Sequence, residues 1–365
     1  MSLFSRKTRL LFASTLVATT KPVIGGQAVV EGVMMRSPKS FAVAVRTPDG
    51  GITVREEAWL SFAERFPLLK LPILRGATML VESMYNGMQA LTFSAATAFP
   101  DDADAQQEQQ KIEKQKKDGG GGLYLTIAAS MLFAFALFKG VPHFAAWGLG
   151  QALGHDGHSA LPMTGPLFHA VDGVVKMCLF VGYIVLISRM AEVKRLFMYH
   201  GAEHKSVHVW EAGEPLDVHH ARPKTTAHPR CGTSLLLLSI VTSFLVFVVV
   251  LPVVPVVFEN SLAQALLLLV IKMPLLLPIA GVAYEVQRLA ARHPTNPLIR
   301  ALIAPGMLMQ RLTTAEPGDA ELEVALTALR KTAWREQQQV ANGREAVIQT
   351  FPSFADANEK LPLAA

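Results

Sequence analysis

Met198-Tyr199-His200-Gly201-Ala202-Glu203-His204-Lys205-Ser206-Val207-His208 is the stretch whose reading decides the rest of the chain. On a helix, His200, His204 and His208 recur every fourth residue and share one face. The five residues from His200 to His204 read H-x-x-E-H, the order of the inverzincin metal motif. Two imidazoles one turn apart can bind one zinc ion. A neighbouring carboxylate, Glu203, can then take a proton from water. The same residues also fit an ordinary helix at a water boundary, because short motifs match by chance often.

On both sides of this stretch the chain becomes apolar. Of its 365 residues, 51% are hydrophobic and only 17% are charged, against about 25% charged in a soluble domain. The deficit is concentrated in four runs, 123–150, 168–190, 234–258 and 262–285. Each is near or above the roughly 20 residues that a helix needs to cross a bilayer. Pro252, Pro255, Pro274 and Pro278 are expected to kink the last two. Within the spans lie Lys139, Asp172, Lys176 and Lys272, and depth suggests a Lys139–Asp172 pair.

Lys and Arg set the expected orientation. The connector 151–167 has neither, nor does Glu259-Asn260-Ser261, whereas Arg189, Lys194, Arg195, Lys205, Arg222, Lys224 and Arg230 crowd the connector 191–233. The positive-inside rule then places both termini and the His-rich connector in the cytoplasm. The net charge of +5 is modest, and no basic patch interleaved with aromatics points to nucleic acid. The two cysteines, Cys178 and Cys231, form no disulfide framework.

Elsewhere, residues 1–21 read as an N-terminal tail and 22–70 as a β-rich cytoplasmic unit. Its strands are expected at Ala28-Val29-Val30, 41–46 and 52–55, with a hairpin turn at Thr47-Pro48-Asp49-Gly50-Gly51. Residues 71–98 read as an interfacial or membrane-embedded helix with Arg75, Glu82, Asn86 and Gln89 on one stripe. A charged linker spans 99–122. The bundle proper is 123–290, followed by a cytoplasmic helical tail at 291–337, its helix at about 319–337 capped by Asp319, and by a disordered tail at 338–365. The fold class is an α+β membrane protein: a small β-rich unit plus about four transmembrane helices.

Three further segments bear on chemistry. His228-Pro229-Arg230-Cys231-Gly232-Thr233-Ser234 precedes the third span and offers His228 and Cys231 as ligands. Glu285 ends the fourth span on the same side, in the order an inverzincin glutamate would follow. Gln27, Glu31, Arg36, Arg75 and Arg230 are candidates to hold the polar end of a substrate.

The runs Ile24 to Arg36, Tyr199 to Lys205, Glu211-Ala212-Gly213-Glu214 and His228 to Ser234, with Tyr284-Glu285 and Glu316-Pro317-Gly318-Asp319, resemble the bacterial DUF1385 (YqhQ-like) family. The resemblance covers roughly residues 22–336. It implies a multi-pass bacterial membrane protein of a kind labelled metal-dependent, and it carries no settled reaction.

Three functions follow as expectations. The first is a metal-dependent hydrolase on a membrane-associated substrate. A divalent metal, zinc first, would sit on His200 and His204 with His228, Cys231 or Glu285, and Glu203 would be its general base. The second is a non-enzymatic membrane-protein assembly or complex factor with structural histidines, and the third, weaker, is a transporter. The lipid bilayer is an expected partner. A membrane-associated substrate, a membrane-protein partner and a homo-oligomer complete the expected set.

Overall fold

The computed structural model describes residues 21–100, 121–154, 159–163, 165–293, 296–338 and 346–361. The N-terminal tail and most of the expected linker lie outside these residues. Five antiparallel strands form a meander in the order β1 (Gly25–Val29), β2 (Gly32–Arg36), β3 (Ser40–Arg46), β4 (Ile52–Ala58) and β5 (Val347–Phe351). The hairpin at 47–51 is as expected, but Gly32–Arg36 is an additional strand. It turns back through Glu31, whose φ of 50° lies in the left-handed region. The tail expected to be disordered contributes β5 and a short helix, α10 (Phe354–Lys360). The run Val347-Ile348-Gln349-Thr350-Phe351 is rich in strand formers, a local signal that the reading of 338–365 as disordered passed over. It is recruited because β4 offers a free edge, and Phe351 then becomes buried.

Both faces of the sheet are covered, which explains the unbroken apolar run at 41–45. Phe41, Val43 and Val45 face α1 (Leu74–Ala98), meeting Ala90 and Phe93. The alternate residues Val33, Met35, Ala44, Ile52 and Val54 face α5 (Ala191–Ala212) and α9 (Asp319–Gln338), meeting Tyr199, Leu322, Leu326 and Leu329. Burying a large apolar side chain is worth about 1.5–3 kcal/mol, so this three-layer core outweighs the weak local preferences of its short strands. Glu56 on β4 is buried between Lys331 (2.7 Å) and Arg335 of α9, and this pairing fixes the helix on the sheet.

The bundle consists of α2 (Gly121–Phe135), a π-turn at Ala136–Gly140, α3 (Val141–Ala152), α4 (Pro166–Ile187), α6 (Gly232–Val250) and α7 (Ser261–Arg292), with α8 (Pro297–Thr313) packed against α6. Four helices are long and apolar enough to cross a membrane: Ala128–Ala152, Pro166–Ile187, Gly232–Val253 and Leu262–Arg292. The helix Leu74–Ala98 is not among them. Lys139 and Asp172 do not pair. Asp172 Oδ2 instead takes Lys272 Nζ (2.9 Å) and Lys176 Nζ (3.5 Å), while Lys139 lies over the Phe247 ring. Oδ2 is reached from its own helix one turn on and from α7, and Lys139 takes no part in the pairing.

The sheet unit is joined to the bundle where α1 crosses α7. Gly76 and Gly281 meet there, and a Cβ on Gly281 would collide with the Ile73 carbonyl. Ile73 has φ 70°, an outlier for a β-branched residue. Arg75, two residues on, forms a bidentate pair with Glu285 (Nε to Oε1, 2.6 Å). Gly281→Ala is expected to lower stability by about 1–3 kcal/mol through overpacking, read as a fall in the unfolding midpoint of the protein in mild detergent.

Candidate metal centre

Helix α5 is polar in sequence, yet Tyr199 and the run from Gly201 to Val207 are buried. It ends at Gly213, whose φ of 74° suits a left-handed C-terminal cap. Gly201 supplies its closest contact, because a Cβ there would run into the Ala315 carbonyl. The chain after α8 therefore lies directly on α5, with Ala315 N–H donating to Phe197 O (2.9 Å). That approach brings the Thr313 carbonyl to His200.

The histidines share a face, as their spacing requires. His200 Nδ1 donates to Thr313 O (2.7 Å) and His204 Nδ1 to Thr226 O. A carbonyl only accepts, so the proton is on Nδ1 in both rings and Nε2 carries the lone pair. His200 Nε2 lies 3.2 Å from Cys231 Sγ. His204 Nε2 is buried and has no hydrogen-bond partner among the described residues. One ligand atom from each of His200, His204 and Cys231 falls within 4.8 Å of the others. This donor set of two imidazoles and a thiol matches what a zinc ion prefers. The carbonyls behind the rings do what outer partners of metal-bound histidines do: they fix the tautomer and aim the free nitrogen.

Glu203 stands beside this group at 5% exposure. Its Oε1 accepts the Gly26 N–H (2.9 Å), and its Oε2 lies 3.4 Å from His204 Nε2. Gly26 is required at this point because a Cβ would meet Glu203 Cγ and the Met34 carbonyl. Strand β1 thus holds the carboxylate from outside the helix.

A second group adjoins the first. His208, Glu211 and His228 also bring ligand atoms within 4.8 Å of one another. The four imidazoles form a row, with ring centres 4.5 Å apart for His200–His204, 5.7 Å for His204–His228 and 4.8 Å for His208–His228. His208, on the same helix face as His200 and His204, belongs here, with Nε2 donating to Ala227 O (2.9 Å). Burial pushes its imidazole below the ordinary value, against the pull of that carbonyl. Burial acts to raise the Glu211 carboxyl. The His228 hydrogen bond and the charges of His228 and Arg230 outweigh it and hold the group below its usual range. Glu211 was missed as a site residue. Its position three residues after His208 and seven after His204 on one helix was the available signal.

Two residues from other helices hold the segment carrying His228 and Cys231. Gln310 of α8 accepts the His228 N–H (2.7 Å) and donates to His228 O (2.8 Å) and Ser234 Oγ (2.6 Å). Gln287 of α7 donates to Pro229 O (3.2 Å) and Cys231 O (2.7 Å). Neither glutamine has a sequence signal pointing to this role.

Glu285 is not brought to the centre. Its carboxylate is taken by Arg75, so the two residues assigned separately to metal and substrate instead neutralise each other. The other substrate candidates divide. Arg230 is at the cluster, paired with Glu211. Gln27 lies against Gly87 of α1, one residue from the Gly26–Glu203 contact. Glu31 pairs with Arg195 and accepts from the Tyr199 hydroxyl (3.3 Å). Arg36 pairs with buried Glu82 (3.4 Å) and lies over Trp59.

The family described as "Protein of unknown function (DUF1385)" matches residues 71–334. The chain belongs to the DUF1385 family. It is 32% identical over 333 residues to the uncharacterized protein YqhQ of Bacillus subtilis (strain 168), an alignment covering 87% of this chain and 96% of that protein. No solved structure matches.

Gln310→Leu leaves the His228 backbone groups and Ser234 unpaired in a buried place. It is expected to cost at least about 1–3 kcal/mol and to weaken metal binding about 10–100-fold by releasing the ligand segment. Thermal unfolding and a metal titration of the purified variant check the two effects.

Proposed function

We propose that this DUF1385 chain is a metal-dependent hydrolase of a bacterial inner membrane, acting on a membrane-associated substrate at the cytoplasmic face. The observation that carries the reading is the buried Nε2 of His204, which makes no hydrogen bond although Glu203 Oε2 lies 3.4 Å away, grouped with His200 and Cys231. A buried ring nitrogen with no partner is costly, and a cation shared with His200 Nε2 and the Cys231 thiolate would answer that cost. Zinc is the first choice because one soft and two borderline donors suit it. When bound, such an ion supplies a Lewis acid that polarises the scissile group and makes water more acidic.

The chain's own residues would do the rest. Glu203 Oε2 is the oxygen left free by Gly26 and lies beside the ligand nitrogen of His204. Its role is to accept the proton of the attacking water and pass it to the leaving group. Held by the β1 backbone, it needs no rearrangement to do so. Arg230 extends from the same segment as Cys231 and is half-exposed, paired with Glu211. It is the residue best placed to meet the anionic end of a lipid or a membrane peptide. The excess of Lys and Arg on the connector supports the cytoplasmic assignment.

Metal analysis of the purified full-length protein is expected to give at least one zinc per chain, lost in His200→Ala and His204→Ala. Glu203→Gln is expected to keep the metal while hydrolysis of a membrane-derived substrate panel falls about 10²-fold or more. A wild-type protein that takes up no stoichiometric divalent metal sinks the reading. Full hydrolytic activity in Glu203→Gln removes its base.

A further inference from the structure

Helix α1 contains two charged residues, and both are paired: Arg75 with Glu285, and Glu82 with Arg36 (3.4 Å). Glu82 is buried and also accepts from Ser61 Oγ (2.7 Å) and the Phe62 N–H (2.7 Å). Ala90, Phe93 and Ala98 pack on β1, β2 and β3. At helical spacing, Val81, Met84, Tyr85, Met88 and Leu91 fall on the opposite side of the helix, and all five are exposed. A surface helix that faces water is polar or charged on its outer side. This outer side has no charged residue. A contiguous exposed apolar surface of this kind marks an interaction site.

The place of α1 in the fold identifies what covers that side. Its first turn crosses α7, where Gly76 meets Gly281. Gly281 lies about 28 Å along α7 from Leu262 at 1.5 Å per residue, close to the roughly 30 Å thickness of a bilayer's hydrocarbon core. The crossing thus falls one bilayer thickness from the start of the fourth span, at the end of α7 that leads to Arg292. Phe66, Leu68, Leu71 and Leu74, which lead into α1, are exposed as well. Arg65 and Lys70 are exposed among them, Lys70 near exposed Glu64 (3.3 Å). Apolar side chains bordered by basic ones are what a helix lying in a lipid interface presents. From Glu82 onward α1 is tied to the sheet through Arg36 and Phe93.

We infer that α1 and the segment before it are a monotopic anchor in the cytoplasmic leaflet of the membrane that the bundle spans. The helix lies in the plane of the leaflet, with Val81, Met84, Tyr85, Met88 and Leu91 among the acyl chains and Arg65 and Lys70 at the phosphates. The anchor rests on the membrane-spanning part of the proposed function and is independent of the metal. It also fixes where the histidine centre stands. Gln27 of β1 touches Gly87 of α1, and the next residue back, Gly26, donates to Glu203. One strand therefore separates Glu203 from the helix that lies in the lipid.

Full-length protein in vesicles of phosphatidylethanolamine and phosphatidylglycerol, doped with a phospholipid carrying a diazirine on its acyl chain, tests this. Photolysis and peptide mapping of the wild type are expected to find adducts on the exposed stripe of α1 as well as on the four spans. A spin label at Met88→Cys, with exposed Cys178 changed to Ala and buried Cys231 left in place, is expected about 5–10 Å below the head groups by collision with oxygen and nickel probes. A label at Ala320→Cys on α9, across the sheet from α1, is expected in water. Adducts on the spans with none on α1 overturn the anchor and leave the spans standing, as does a Met88→Cys label open to water-soluble nickel. Adducts on neither overturn the membrane reading beneath it. Dipolar broadening between Met88→Cys labels of two copies, without lipid contact, overturns the choice of lipid as occupant.

Discussion

The Ala315 carbonyl rests on Gly201, and much of the molecule depends on that contact. With any side chain at 201 the segment between α8 and α9 would be pushed off helix α5. The Thr313 carbonyl would then leave His200, and α9 could not reach the sheet along the same path. The second residue of the H-x-x-E-H run is therefore as demanding as its histidines. It allows a backbone to approach closely enough to satisfy a buried imidazole. The opposite side of α5 shows the same logic, where Gly26 lets a strand reach Glu203.

A polar helix in a protein interior needs partners for its buried groups, and α5 finds most of them on other segments, the His204 Nε2 excepted. Lys205, for example, is buried and donates to Arg222 O (2.7 Å) while pairing with Glu316. Most of these partners are backbone carbonyls, which cannot take up a proton or move away. The result is a rigid cradle in which the free imidazole nitrogens are aimed before anything binds. Preorganisation of this kind is what makes a metal or catalytic site effective.

The bundle presents the reverse situation. Its helices are apolar, and the few ionisable groups it contains are gathered around Phe247 and Asp172. Two polar centres thus occupy one chain, one in the connecting elements and one among the spans. Each contains buried polar atoms that the described protein atoms leave unpartnered. Two glycine contacts, at 76 and 281, and the Arg75–Glu285 pair connect the sheet unit to the bundle that holds the second centre.

Periodicity and composition alone determined the four apolar helices, the hairpin at 47–51, the common face of His200, His204 and His208, and the helix beginning at Asp319. These are local properties, fixed by residue spacing within one segment. The segment His228 to Ser234 was also legible as a ligand source, because its residue types are chemically distinctive. Glu285 shows where such reasoning stops. It was on the expected side and in the expected order, yet a nearby arginine claims it. Gln287, Gln310 and the Thr226 and Thr313 carbonyls were invisible, since a backbone carbonyl has no sequence signature, and the strand formers at 347–351 show no partner until β4 is in place. Sequence by itself settled the long apolar helices and the shared polar face of the histidine-bearing one. Only the tertiary structure decided which polar groups meet, because that depends on where glycines allow two backbones to touch.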